Sequence, residues 1–289
     1  MKQRIGFIWL GLLILAASCA APATPSALTP TGAASGPSAL SVAVASTDFA
    51  VGSPRVPFVI FQGTNPITNA SSIDVIAFDL GSGTPVPGWK GSATSYTDYN
   101  VPYWVVFPQL PHAGYWGLGA VVTLADGSQS QAQFTIQTLD TPSAPKIGDT
   151  PPASHNRTLK TEPDIAKLTS DVNPEPGLYQ MTVADALKSG KPTVVTFATP
   201  AYCTSRLCAP VVNSVKTVYN DLKDKVNFIH IEVYKTFNPL VYADEMTEWR
   251  LQGEPWTFVI GADGKIVATL GGPMSPRELK QALQPLLAQ

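Results

Sequence analysis

Cysteine and histidine are scarce in this chain, three of each in 289 residues. Three cysteines cannot build the dense disulfide framework of a small secreted scaffold. Charge is sparse as well, 14% of residues, with 19 basic against 21 acidic side chains and a net charge of −2. No basic stripe exists to meet a phosphate backbone, so nucleic acid is excluded as a partner. Beyond the first twenty residues no apolar run is long enough to span a bilayer. No long internal repeat is present, which excludes a solenoid.

Proline is abundant instead, 27 residues, with 22 glycines, and both cluster between apolar runs. The chain opens "MKQRIGFIWLGLLILAASCA". Lys2 and Arg4 precede an apolar run over residues 5–17, the pattern of a secretory signal. Its end, Ala-Ala-Ser-Cys, resembles a bacterial lipobox. That resemblance implies a signal peptide over residues 1–19 and a lipid on Cys19. Residues 20–39, "AAPATPSALTPTGAASGPSA", carry no charge and little apolar bulk, so they cannot offset the entropy of ordering and read as a tether. The expected location is lipid-anchored at the membrane on its extracytoplasmic side, where disulfides persist. With Cys19 lipidated, two thiols remain.

About 250 residues follow, enough for two domains. Residues 40–140 hold "ALSVAVAS", "RVPFVIFQG", "IDVIAFDL", "YWVVFPQL", "YWGLGAVVTLADG" and "SQAQFTIQ". These short Val-, Ile- and aromatic-rich runs, divided by Gly, Pro, Asn and Ser, predict an all-β sandwich. Asp126-Gly127 fits its last hairpin turn. The pattern resembles an immunoglobulin-like module. His112 reads as a surface loop residue. The aromatics Tyr103, Trp104, Tyr115 and Trp116 either alternate between core and surface or line a groove.

Residues 141–175 are Pro-rich and polar and read as an extended linker, with His155 solvated. Over residues 176–289, helices and strands alternate. Thr182 caps a short helix that Gly190 stops. "TVVTFAT" and "VNFIHIEVY" are continuous apolar runs, as in a buried parallel sheet. Val211, Val212, Val215, Val218 and Leu222 recur at helical spacing. "PLVYADEMTEWRL" reads as a helix, and "WTFVIGADGKIVATLGG" as a hairpin. A last helix starts at Ser275, with Pro276 in its first turn and Glu278 completing a capping box.

Two cysteines fall just after the first of these strands, in "ATPAYCTSRLCAP". A helix start lowers a thiol pKa. Cys203 therefore reads as the attacking thiol. Cys208, on the Val211–Val212–Val215 stripe, reads as the buried resolving thiol. Five residues of helix rotate about 500°, so both cysteines cannot bond within one regular helix. Either the helix begins near residue 210, or its first turn unwinds on oxidation.

The element order, the cysteine position and the Pro in "GEPWTFVI" resemble the thioredoxin fold. The resemblance implies a cis-proline at Pro255 facing the cysteines, and thiol–disulfide exchange on exported protein thiols or disulfides through Cys203 and Cys208, with no cofactor and no resident metal. It implies substrate contact by Tyr202, Arg206, Glu254 and Pro255. The expected fold is thus multidomain, an immunoglobulin-like β-sandwich followed by an α/β thioredoxin fold. Departures are visible too. Thr196 stands where thioredoxins often bury a carboxylate, and Glu254 where Thr or Val is usual. The Cys-x4-Cys spacing leaves open a non-catalytic surface scaffold with a structural Cys203–Cys208 disulfide. "TPAYCTSRLC" also resembles a peroxiredoxin segment, although Pro200 replaces the Thr which that site needs. Copper handling would require His230, which reads as a core histidine.

Overall fold

The structure, a computed structural model, describes residues 40–288. The expected signal peptide, lipidated Cys19 and tether lie outside the described residues. Among the described residues no helix is long and apolar enough to cross a membrane.

The N-terminal half is all strand. Its elements are β1 Leu40–Val44, β2 Phe49–Ala50, β3 Val56–Gln62, β4 Asn65–Pro66, β5 Ala70–Asp79, β6 Val86–Ser92, β7 Thr94–Tyr96, β8 Tyr103–Val106, β9 Gly114–Leu124 and β10 Gln129–Leu139. One sheet runs β1-β3-β8-β7 with β4 on β3, and the other β2-β10-β9-β5-β6. In the second sheet Ile73, Val75 and Ala77 of β5 and Trp116, Leu118, Ala120 and Val122 of β9 alternate inward, as period-two strands with one wet face must. They meet Phe58, Ile60, Trp104 and Val106 of the first sheet in one core. Gly127 takes φ +85° in the β9–β10 turn, a conformation open to glycine at no steric cost. His112 is exposed and pairs with Asp79 at 2.9 Å.

β3 and β8 are buried on both faces. Their other face, Val59, Tyr103 and Val105, joins a second core with the C-terminal half. This resolves the aromatic group. Tyr103, Trp104 and Trp116 are core residues, Tyr103 facing one core and Trp104 the other, and Tyr115 alone is exposed.

The C-terminal half contains α1 Val183–Ala186, β11 Thr193–Ala198, α2 Cys208–Leu222, β12 Asn227–Glu232, β13 Tyr234–Phe237, β14 Leu240–Tyr242, α3 Asp244–Glu248, β15 Trp256–Ile260, β16 Ile266–Gly271 and α4 Pro276–Leu287. Its sheet runs β12-β11-β15-β16. β11 and β12 are parallel, and β15 and β16 antiparallel. Val194, Phe228 and Val259 face α2 and α4. Val195, Phe197, Ile229 and Phe258 pack with Val183 of α1, Met246 of α3 and Trp249 just beyond it. The layer of α2 and α4 is therefore covered by two sheets, one from each half of the chain.

Three local expectations change. "PLVYADEMTEWRL" is not one helix, because its first part is β14, paired with β13, and only Asp244–Glu248 is helical. Val241 and Tyr242 are β-formers, and their local pairing wins over the helical period. Ser275 does cap α4, accepting from Glu278 N at 3.1 Å. The reciprocal half of the capping box is replaced: Ser275 N donates to Tyr103 Oη at 2.8 Å, and the Glu278 carboxylate turns to Arg55 at 2.7 Å. Residues 141–175 are extended yet held down. Gly148 N donates to Ile266 O at 2.8 Å, and Asn156 Oδ1 accepts from Val183 N at 2.8 Å.

Candidate functional site

β11, between β12 and β15, ends at Ala198 and delivers the chain to a loop at the C-terminal end of this interior strand. Its apolar run is fully buried, so the strand end is fixed and the loop after it is aimed. The helix of the cysteine segment begins at Cys208, leaving Cys203 outside in the preceding turn. This removes the conflict between spacing and helical rotation. Arg206 N donates to Cys203 O at 3.3 Å, and Arg206 takes φ +61°. That left-handed residue absorbs the extra length of the four-residue spacer. Such a conformation is uncommon for a non-glycine residue and costs on the order of 1–3 kcal/mol.

The turn brings the Cys203 sulfur over the helix start. Cys208 N–H points at Cys203 Sγ at 3.3 Å, and the Ser205 hydroxyl lies 3.1 Å from the same sulfur. Both thiols are free. Cys203 is half-buried, while Cys208 has no exposure and packs with Ala198 and Val212. The Glu254–Pro255 peptide is cis. The Glu254 carboxylate and the two sulfurs all lie within 4.8 Å of one another.

Electrostatics divide the two cysteines. Cys203 is held down to about 5, chiefly by the hydrogen bond from the Cys208 thiol, then by Ser205 and the N–H groups of Cys208 and Leu207, while burial pushes the other way. Cys208 is pushed up by giving its proton to Cys203 and by burial. Glu254 is raised by burial first and by the nearby Cys203 charge second. The site thus holds a thiolate, a thiol and a carboxyl group that resists ionisation. Two sulfurs and a carboxylate oxygen are also a donor set suited to a thiophilic cation.

The loop rests on a polar support. Glu232, 3% exposed, accepts from Ser170 N and Oγ at 2.8 Å, and Ser170 Oγ accepts from Ala201 N at 3.1 Å. The other Glu232 oxygen has no hydrogen-bond partner among the described residues. His230 is buried and takes no part in the cysteine cluster. Its Nε2 donates to Ala198 O at 3.1 Å, and its Nδ1 accepts from Tyr179 Oη at 2.7 Å. Burial lowers its pKa, so the ring stays neutral.

Of the expected site residues, Cys203, Cys208, Glu254 and Pro255 converge. Arg206 shapes the turn. Tyr202 instead leaves the sulfurs and stacks on Phe237 of β13, with centroids 5.4 Å apart. Two contributors had no signal near the cysteines. Tyr99, from the sandwich, donates to Leu207 O at 3.2 Å, and Glu232 ends the neighbouring parallel strand β12, paired with Ala198. Ser205, inside the spacer, was visible as a hydroxyl two residues from a thiol.

A family profile described as "thioredoxin-like domain" matches residues 179–286. No curated protein sequence matches the chain. Among solved structures, a thiol:disulfide interchange protein of the thioredoxin family from Chlorobium tepidum TLS is 17% identical, with 50% of this chain and 99% of that one covered, at a TM-score of 0.35. StoA from Bacillus subtilis is 18% identical, covering 40% and 93%, at 0.29. The fibronectin type-III domain of human fibronectin type III domain containing protein 3 is 13% identical, covering 38% and 94%, at 0.22. The stretch that this thioredoxin-like profile matches, residues 179–286, is the one that builds the four-stranded sheet and its helices.

Proposed function

We propose that the protein carries out thiol–disulfide exchange on exported proteins, with Cys203 as nucleophile and Cys208 as resolving thiol. The observation that supports it most is the hydrogen-bonded Cys203 sulfur at the start of α2, beside the Glu254–Pro255 turn. Cys203 thiolate attacks one sulfur of a substrate disulfide. The substrate S–S bond breaks, and the departing thiolate takes a proton from water. Bonding to substrate removes the Cys203 charge that held the Cys208 proton, so the Cys208 pKa falls. Glu254, within 4.8 Å of both sulfurs, accepts that proton. Cys208 then attacks Cys203 Sγ and expels the second substrate thiol. The second substrate group leaves as a thiolate and takes the proton from Glu254, so two electrons pass from the cysteine pair to the substrate while one of its two protons comes from water and one from Cys208, and the reverse sequence oxidises a dithiol.

In this reading residues 40–140, the proposed immunoglobulin-like module, hold and flank the catalytic domain. The basic-then-apolar opening and its Ala-Ala-Ser-Cys end support export, with a lipid on Cys19 holding the protein at the extracytoplasmic face of a membrane. Cys208→Ser is expected to accumulate a mixed disulfide between Cys203 and a cysteine-containing peptide disulfide, seen as a mass shift that dithiothreitol reverses. Cys203→Ser forms no adduct. Absence of any adduct in Cys208→Ser would remove the exchange reading.

A second reading is favoured by the Cys203–Cys208–Glu254 cluster alone. The reduced site would hold a thiophilic d10 cation such as Zn2+. Titration of the reduced protein with Zn2+ should then release the Cys208 proton, and Cys203→Ser should stop the release. A reduced wild-type protein that takes up no Zn2+ would end this reading.

A further inference from the structure

A groove of about 950 Å3 opens beside the cysteine loop, and both halves of the chain build it. On the sandwich side Phe61, Tyr99 and Val101 line it, with the chain just after β1 along its rim. On the thioredoxin-like side the wall is Leu207, Pro255 and Trp256. Two contacts fix one wall against the other. Tyr99 Oη donates to Leu207 O at 3.2 Å. Gly272, at φ +84°, lets the backbone of Ala45 approach so closely that a Cβ there would collide with the Ala45 carbonyl oxygen.

We propose that this groove binds an extended apolar stretch of polypeptide flanking a substrate cysteine, with the sandwich reading the flanking side chains. The inference rests on the exchange reading for its substrate class and deepens it. Three observations choose the occupant. The volume lies at the upper end of the roughly 300–1,000 Å3 of ligand pockets, room for side chains on either side of a cysteine. Among the described residues, the charged ones lining it are Arg206 and Glu254, one of each sign. A small thiol carrying several carboxylates would find a single cation there, opposed by an acid. The groove also adjoins the reacting atoms, since Glu254 and Leu207 belong both to its wall and to the cysteine cluster. An apolar side chain laid on Phe61 and Val101 leaves water, and burying one of leucine size favours binding by about tenfold or more.

Binding can be read without any sulfur chemistry. The full chain carrying Cys203→Ser and Cys208→Ser is titrated into two fluorescein-labelled ten-residue peptides, each with a central serine in place of cysteine. One is flanked by Leu and Val, the other by Ser and Gln. Fluorescence anisotropy is expected to show the apolar peptide binding at least about tenfold tighter. Adding Phe61→Ser and Val101→Ser should bring the two affinities within about twofold, whereas Tyr115→Ser, on an exposed side chain of the sandwich, should leave the preference intact. Should the double groove variant not fold, Val101→Ser alone must narrow the preference. Equal affinity for the two peptides, or a preference that survives the groove substitutions, overturns the proposal. Neither peptide contains sulfur, so this outcome is separate from that of the mixed-disulfide experiment on Cys208→Ser.

Discussion

Arg55→Ala will destabilise the protein by about 3–5 kcal/mol, while replacing Arg55 and Glu278 together with methionine will cost far less. Arg55 stands just before β3 in the sandwich, and Glu278 lies in the first turn of α4. Their side chains are each 6% exposed and pair at 2.7 Å. The contact is bidentate, with Arg55 Nε on one carboxylate oxygen and an η nitrogen on the other, both at 2.7 Å. The remaining guanidinium donors reach Gly271 O at 2.7 Å and Pro273 O at 2.6 Å. The Tyr103 hydroxyl also donates to Glu278. Removing Arg55 leaves a carboxylate in an apolar interior with one neutral donor, and desolvation makes that state costly. Removing both charges leaves no orphan. The donors and acceptors come from both halves of the chain, so they and the shared core around Val59 and Tyr103 should make unfolding a single cooperative transition. In Arg55→Ala that transition should broaden or split. Urea unfolding followed by tryptophan fluorescence reads both effects. A change below about 1 kcal/mol with one sharp transition would show that this cluster does not hold the halves together.

The same cluster shows where a sequence stops being legible. Ser275, Pro276 and Glu278 announce a helix start through local chemistry, and α4 starts there. What Glu278 does with its carboxylate depends on Arg55, more than two hundred residues earlier, and no local pattern encodes that pair. Strands buried on one face, such as β9, are readable from alternation, as are continuous apolar strands such as β11. β6 and β7 escape notice because "VPGWKGS" and "TSY" are polar, glycine-bearing edge segments exposed along most of their length. β8 reads as a strand, but the two-faced burial of Tyr103 and Trp104 becomes meaningful only when α4 lies against it. At the site, the cysteines and Pro255 are legible from position. The turn that separates Cys203 from the helix is not, because it depends on a left-handed arginine, a residue with no intrinsic preference for that region.

Cys203 is expected to titrate with a midpoint near 5, and this sets both its reactivity and its redox poise. The Cys208 thiol, the Ser205 hydroxyl and two backbone N–H groups favour the thiolate, outweighing burial and the nearby Glu254. Iodoacetamide should therefore alkylate Cys203 at a rate that is flat above about pH 6 and falls below pH 5. Ser205→Ala removes a donor and should move the midpoint up. Glu254→Thr removes a like charge and should move it down. At neutral pH the Glu254 substitution should be silent, since the thiolate is already fully formed, so its effect appears only in the acid limb. Superimposable profiles for wild type and Glu254→Thr would detach Glu254 from the sulfur. In the reduced protein the depressed pKa adds stability that is complete above the unfolded thiol value of about 8.5 and lost as pH falls through about 5. A disulfide cannot use these donors, so they favour the dithiol. At pH 7 a midpoint near 5 stabilises the reduced form by at most about a hundredfold over a free thiol, or about 60 mV for a two-electron couple. Water screening of the half-exposed sulfur reduces this. The reduction potential should accordingly lie above the roughly −270 mV of thioredoxin, whose thiol is depressed only to about 7. A value below about −300 mV would mean that the oxidised pair is the stable form and that Cys203 and Cys208 serve as a staple.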